Sequence, residues 1–197
     1  MNAVKYWIGI AGSMMDQAGA NILVYGYGNP GRGDDGLGPA LVQQLQTEPL
    51  MGVSTECDYQ LNVEDALTVS EFDAVIFADA THEAINGVRM RSVRPLFNAA
   101  FTTHAVEPQA VLALSELLYG KCPEAYMLEM RGYSWEVGEG LSPSARENLI
   151  AALTMLRRTL PAWRRRQTGT ILPQMEWANH HESGRVKYGK ADSGYRQ

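Results

Sequence analysis

The stretch ILVYGYGNPGRGDDGLGP, Ile22 to Pro39, runs from an unbroken apolar segment through a glycine-rich loop into the start of a helical pattern. Ile22–Gly26 shows no polar alternation, which is the pattern of a strand covered on both faces. Leu37, Leu41, Val42 and Leu45 then recur at helical spacing, predicting a helix over 36–46. Pro39 is compatible with that helix because it falls in the first turn. A buried strand, a tight glycine turn and an amphipathic helix together point to an α/β protein.

Working outward, the same alternation continues. Val53–Leu61 is a weaker strand pattern. Asp73–Asp79 (DAVIFAD) is a short apolar run closed by an acid, Val88–Val93 (VRMRSV) alternates as a strand with one wet face does, and Ala125–Met130 (AYMLEM) is the fifth run. Pro108–Tyr119 carries the stripe Val111, Leu112, Leu114, Leu117 and Leu118, with Gly120 as its stop. Ser142-Pro143 reads as an N-cap followed by proline at the first helical position, and Leu149, Ile150, Leu153 and Leu156 form the stripe behind it. The expected fold is a three-layer α/β/α sandwich around a five-stranded, mostly parallel sheet. It occupies residues 21–163, with 1–20 a disordered leader and 164–197 a disordered basic tail.

Charge supports that division. Residues 164–197 hold seven Lys/Arg against three Asp/Glu, a balance of +4, while 1–163 hold ten against nineteen, a balance of −9. An acidic body argues against nucleic acid as a partner. No apolar run approaches the roughly 20 residues needed to span a bilayer, so no membrane partner is expected. Cys57 and Cys122 stand far apart with no CxxC pattern, which suits two free thiols in a reducing, cytoplasmic setting.

The loop contains Gly26-x-Gly28-x-x-Gly31, the spacing of a dinucleotide-binding fingerprint. In that motif free N–H groups and the positive end of a helix dipole hold a phosphate. Here Asp34 and Asp35 fall at that positive end, where they would repel a phosphate, and Pro30 removes one N–H. As structure alone, the glycines shape the turn and one Asp caps the helix. The second carboxylate then needs a partner of its own, and a cation is the natural one. Sites in such sheets form beyond the carboxyl ends of the strands, where strand order reverses. Asp79 closes the third strand there, and His104, in TTHAVEP, precedes the helix at Pro108. Asp35, Asp79 and His104 would make a mixed oxygen and nitrogen set suited to Ni²⁺, Zn²⁺ or a similar divalent ion.

GYGNPGRGDDGLG, followed by a FADA strand end and a TTHA segment, resembles the hydrogenase maturation proteases. The family pattern of Gly-x-Gly-Asn and an acidic pair before Gly-x-Gly falls on Gly26, Gly28, Asn29, Asp34, Asp35, Gly36 and Gly38. The resemblance covers about residues 21 to 160 and implies an endopeptidase that removes the C-terminal extension of a nickel-iron hydrogenase large-subunit precursor after nickel insertion. It implies a five-stranded mixed sheet whose fourth strand is antiparallel, and a monomer. It places Asp35, Asp79 and His104 as the metal-binding and catalytic residues. Gly26, Gly28, Asn29 and Asp34 form the loop around the cofactor, a nickel ion brought by the substrate. TTHAVEP and LSPSARENL are more similar to members serving cytoplasmic, NAD-coupled hydrogenases.

The chain has no HExxH helix, no GxSxG elbow and no Cys–His pairing. Bond breaking is left to the metal acting on the carbonyl or a water, or to Asp35 or Asp79 as general base. Asn29 and the glycine N–H groups would steady the oxyanion. A carrier or checkpoint that binds nickel without cleaving anything is the alternative in a different functional class.

Overall fold

In the computed structural model, which describes residues 20–96, 106–138, 140–164 and the short strand 175–177, the apolar run after Asn21 becomes β1 (Ile22–Tyr27), the second strand in the sheet order β2-β1-β3-β5-β4-β6. β2 (Val53–Asp58), β3 (Ala74–Thr81) and β5 (Glu124–Arg131) run parallel to it, in direct pairing or through β3. β4 (Val88–Val93) is antiparallel to β5, pairing Val88 with Met130 and Val93 with Ala125. A three-residue strand, β6 (Met175–Trp177), adds antiparallel to the outer side of β4. The sheet therefore has the five expected strands plus a sixth, from a stretch too short and too polar to carry a strand period.

Successive side chains on a strand point to opposite faces, and both faces of the central strands are apolar. Ile22, Val24, Ile76, Ala78, Tyr126 and Leu128 pack under α1 (Leu37–Thr47) and α4 (Pro143–Arg164). Leu23, Tyr25, Val75, Phe77, Ala125 and Met127 pack under α2 (Asp65–Ser70) and α3 (Pro108–Tyr119). This is why β1, β3 and β5 read as continuous apolar runs and β2, at the edge and largely exposed, does not.

Helix ends follow their local chemistry. Gly120 closes α3 with a left-handed φ of 67° and donates its N–H to the Glu116 carbonyl. Ser142 opens α4, its Oγ accepting from the Ala145 N–H at 3.2 Å. α2 was not expected from the sequence: six residues with Leu67 exposed show no stripe. Three expected stripe residues, Leu117, Leu118 and Ile150, face solvent, because each helix needs only a narrow apolar strip against the sheet.

Candidate metal centre

β1 enters a turn whose shape depends on two glycines. Gly26 lies so close to α1 that a methyl there would overlap the Gly38 carbonyl oxygen. Gly28 has φ +132°, a region L side chains rarely adopt, and a methyl there would overlap the Asp35 carbonyl. The chain then makes a single 3₁₀ turn, Gly33–Gly36, before α1. Neither Asp caps α1 or the turn through its side chain.

The two adjacent acids have opposite fates. Asp34 is fully buried. Its Oδ2 accepts from the Tyr133 N–H (2.7 Å), the Ser134 N–H (2.9 Å) and the Ser142 hydroxyl (2.8 Å), and its Oδ1 from the Ser142 N–H (2.7 Å). Burial pushes its carboxyl up, but these bonds from Ser142, Tyr133 and Ser134 outweigh burial and hold it below the ordinary aspartate range. The Asp34 N–H also donates to the Ser134 carbonyl at 2.8 Å, and the Gly138 N–H to the Gly31 carbonyl at 3.1 Å. Asp34 thus ties the 29–36 loop to the 132–142 loop. Its oxygens are engaged by the chain's own donors.

Asp35 turns the other way and is half-buried. One of its oxygens accepts from the Asn29 N–H at 3.0 Å, and Asn29 in turn accepts from the Gly31 N–H at 2.8 Å. Asp79, at the end of β3, lies across from it. A methyl on Gly28 would sit 3.7 Å from Asp79 Oδ1 while touching the Asp35 carbonyl. Both carboxylates therefore stand at the carboxyl ends of β1 and β3, the point where strand order reverses. Burial raises the Asp79 carboxyl to about 7, with the Asp35 and Glu129 charges adding to it and the Ala80 N–H bond (2.7 Å) opposing. The two neighbouring carboxylates, with Asp79 held up by burial and by the Asp35 charge, suit a divalent cation, which would relieve their repulsion. A phosphate would meet the same repulsion unrelieved. Among the described residues no three His, Cys, Asp or Glu side chains converge closely enough to hold a metal ion; His104 lies outside the described residues.

A charged row continues from Asp79 across the α3 face of the sheet. Glu129 is its register partner on β5 and is buried. Arg89 Nε donates to Glu129 Oε2 at 2.6 Å, and Arg91 donates to Oε1 from both Nε and Nη2 at 3.2 Å. Burial pushes the Glu129 carboxyl up, but the Arg89 and Arg91 bonds dominate and lower it. On the other side, burial and the Asp79 charge raise the Tyr27 phenol, so it keeps its proton.

No protein-family model matches the sequence, and no curated protein matches it. Solved structures do. A hydrogenase 2 maturation peptidase from a Thaumarchaeota archaeon superimposes with a TM-score of 0.54 at 22% identity, over 72% of this chain and 98% of its own. The NiFe hydrogenase maturation protease HycI from Thermococcus kodakarensis gives 0.56 at 20% identity, over 74% and 94%. The hydrogenase maturating endopeptidase HybD from Escherichia coli gives 0.55 at 21%, over 72% and 93%. The fold is that of the hydrogenase maturation peptidases.

Within this maturation-peptidase fold the chain brings together Asp35, Asp79, Gly28 and Asn29, while Gly26 serves helix packing. Sequence reasoning missed Tyr27, Glu129 and the two arginines. Glu129 had a signal, an acid inside the apolar run AYMLEM that needs a buried partner. It also missed the stacking of His82 on Trp135, with ring centroids 3.5 Å apart, because two loops 53 residues apart meet there. Cys57 and Cys122 are free thiols. No helix among the described residues is long and apolar enough to cross a membrane.

Proposed function

We propose that this chain is a cytoplasmic, monomeric endopeptidase that removes the C-terminal extension of a nickel-loaded nickel-iron hydrogenase large-subunit precursor. The observation that carries the proposal is the pairing of Asp35 with Asp79 at the strand-order reversal of the maturation-peptidase fold, while the adjacent Asp34 is turned inward. The fold alone is compatible with several activities; the half-buried acid pair narrows them to chemistry around a cation.

The nickel ion is part of the substrate, held by the precursor near its cleavage site. Asp35 and Asp79 supply oxygen ligands and His104 an imidazole, so cleavage waits for nickel. Bound metal polarises a scissile carbonyl or lowers the pKa of a water. The chain's own contribution is positional. Gly28 lets the loop pass close to Asp79, the Asn29 N–H orients Asp35, and the Asp34 clasp fixes the loop that carries both. An Asp79 carboxylate not engaged by the metal could instead take a proton as a general base.

The test is trimming of nickel-loaded and nickel-free precursor, read by intact mass. We expect loss of the C-terminal peptide with nickel only, abolished in Asp35→Ala, Asp79→Ala and His104→Ala. Nickel retained by the isolated protein, with no cleavage of a cognate precursor, would identify a carrier and overturn the enzyme reading.

A further inference from the structure

Trp135 and His82 belong to neither apolar core, yet their rings are stacked, with centroids 3.5 Å apart and planes 21° from parallel. His82 is exposed and Trp135 half-buried. Rings that add nothing to a core need another reason to meet, and their places in the chain supply one. His82 directly follows β3, the strand that carries Asp79. Trp135 lies just past β5, beside Tyr133 and Ser134, whose N–H groups donate to Asp34. The stack therefore joins the strand of one acid to the loop that clasps the neighbour of the other.

The two acids are held by different means. Asp79 is fixed in the sheet, where β3 pairs with β5 through Asp79–Glu129, Ala80–Met130 and Thr81–Arg131. Asp35 lies beyond the last β1–β3 pair, Gly26–Ala78. Its distance from Asp79 thus depends on where the clasp holds Asp34. The clasp loop is tied to the end of β3 at two points. The Gly132 N–H donates to the Thr81 carbonyl at 3.0 Å, and the Trp135 indole lies on the His82 imidazole. A methyl on Gly132 would come within 2.6 Å of Trp135 Cζ2 and 3.0 Å of Asp34 Cβ, so the indole edge and the Asp34 side chain close over the same bare backbone. Hydrogen bonds kept dry in this way hold more firmly than exposed ones.

We propose that Trp135 and His82 are positioning residues for the peptidase reaction: their stack locks the Asp34 clasp to the end of β3 and so sets the separation of Asp35 from Asp79. The proposal rests on the endopeptidase reading and adds the part that fixes the gap between its carboxylates. Both acids can meet one ion only when that gap is right, and a misplacement of about 1 Å can cost on the order of a hundredfold in rate.

Two readouts test it. Trp135→Ala and His82→Ala each remove the stack, and Trp135→Phe keeps a smaller ring in it. On nickel-loaded precursor, both alanine variants should lower kcat about tenfold with KM changed less than about twofold, because the precursor docks as before while the acids meet its ion out of place. Trp135→Phe should recover most of kcat. The second readout needs no activity. The Asn29 N–H, which donates to Asp35, should exchange with deuterium about tenfold faster in the alanine variants, while amides of β1 and β3 keep wild-type rates. An unchanged kcat, or an unchanged Asn29 exchange rate, in both alanine variants would overturn the positioning role and leave the peptidase standing. Equal acceleration of the β1 and β3 amides would overturn it as well, since the fault would then be general destabilisation. A wild type that trims no cognate precursor would overturn the endopeptidase reading and this role with it.

Discussion

Asp34 and Asp35 are neighbours with the same side chain, and their environments assign them different work. Replacing Asp34 by Ala would leave three N–H groups and the Ser142 hydroxyl without their acceptor. We expect a loss of about 3–5 kcal/mol in urea denaturation. Asp35→Ala removes one acceptor, from the Asn29 N–H, and should cost only about 1 kcal/mol while abolishing trimming. The two variants separate stability from function at adjacent positions. Glu129 adds a pH dependence. Its folded carboxyl lies below the ordinary glutamate value, so its stabilisation is complete above that value and is lost as pH falls through the folded one. Thermal midpoints measured downward from pH 6 should therefore fall below about pH 4.5, and Glu129→Gln should flatten that decline. The sequence assigns one acid of the pair to a helix cap, a role that neither side chain takes, while the spacing of Asp79 from the loop is readable. It does not show which acid turns inward, because the partners of Asp34 are backbone N–H groups, which any residue type carries.

At the level of elements, the approach of α1 to β1 sets how near Asp35 comes to Asp79. A methyl on Gly38 would overlap the Tyr27 carbonyl oxygen and crowd that of Ala78. Gly38→Ala should cost about 1–3 kcal/mol in stability, by forcing the helix outward, and reduce trimming with it. Ile150→Lys, at a position 64% exposed, should change stability by no more than about 0.5 kcal/mol, although periodicity alone counts it as core. β1, β3 and β5 are legible in the sequence because burial on both faces leaves an unbroken apolar run. α3 and α4 are legible through their caps. α2 and β6 are not: one is six residues and the other three, and each takes its place from the neighbours it packs or pairs with.

On the scale of the whole molecule, the sheet separates two apolar cores and carries its acids at one edge of strand ends. β6 covers the outer side of β4, which would otherwise present unpaired N–H and C=O groups. A chain ending at Arg164 should keep its five-stranded fold, with its unfolding midpoint lowered by no more than about 4 °C. It should associate more readily, as light scattering would show, because the β4 edge is then open. The layers and strand number follow from alternating apolar runs and helical stripes. The charged row from Asp79 to Arg91 does not, since it runs across β3, β5 and β4, whose order in the sheet differs from their order in the chain. The clasp on Asp34 has a further consequence, one of timing. Its acceptor sits near the start of the domain and its donors lie 99 to 108 residues later. During synthesis, then, the loop that presents Asp35 waits in an unfinished shape until the chain has emerged past Ser142. A contact across so long a loop also makes this corner of the molecule among the last to form. The candidate site is completed only after all five strands from β1 to β5 have been made.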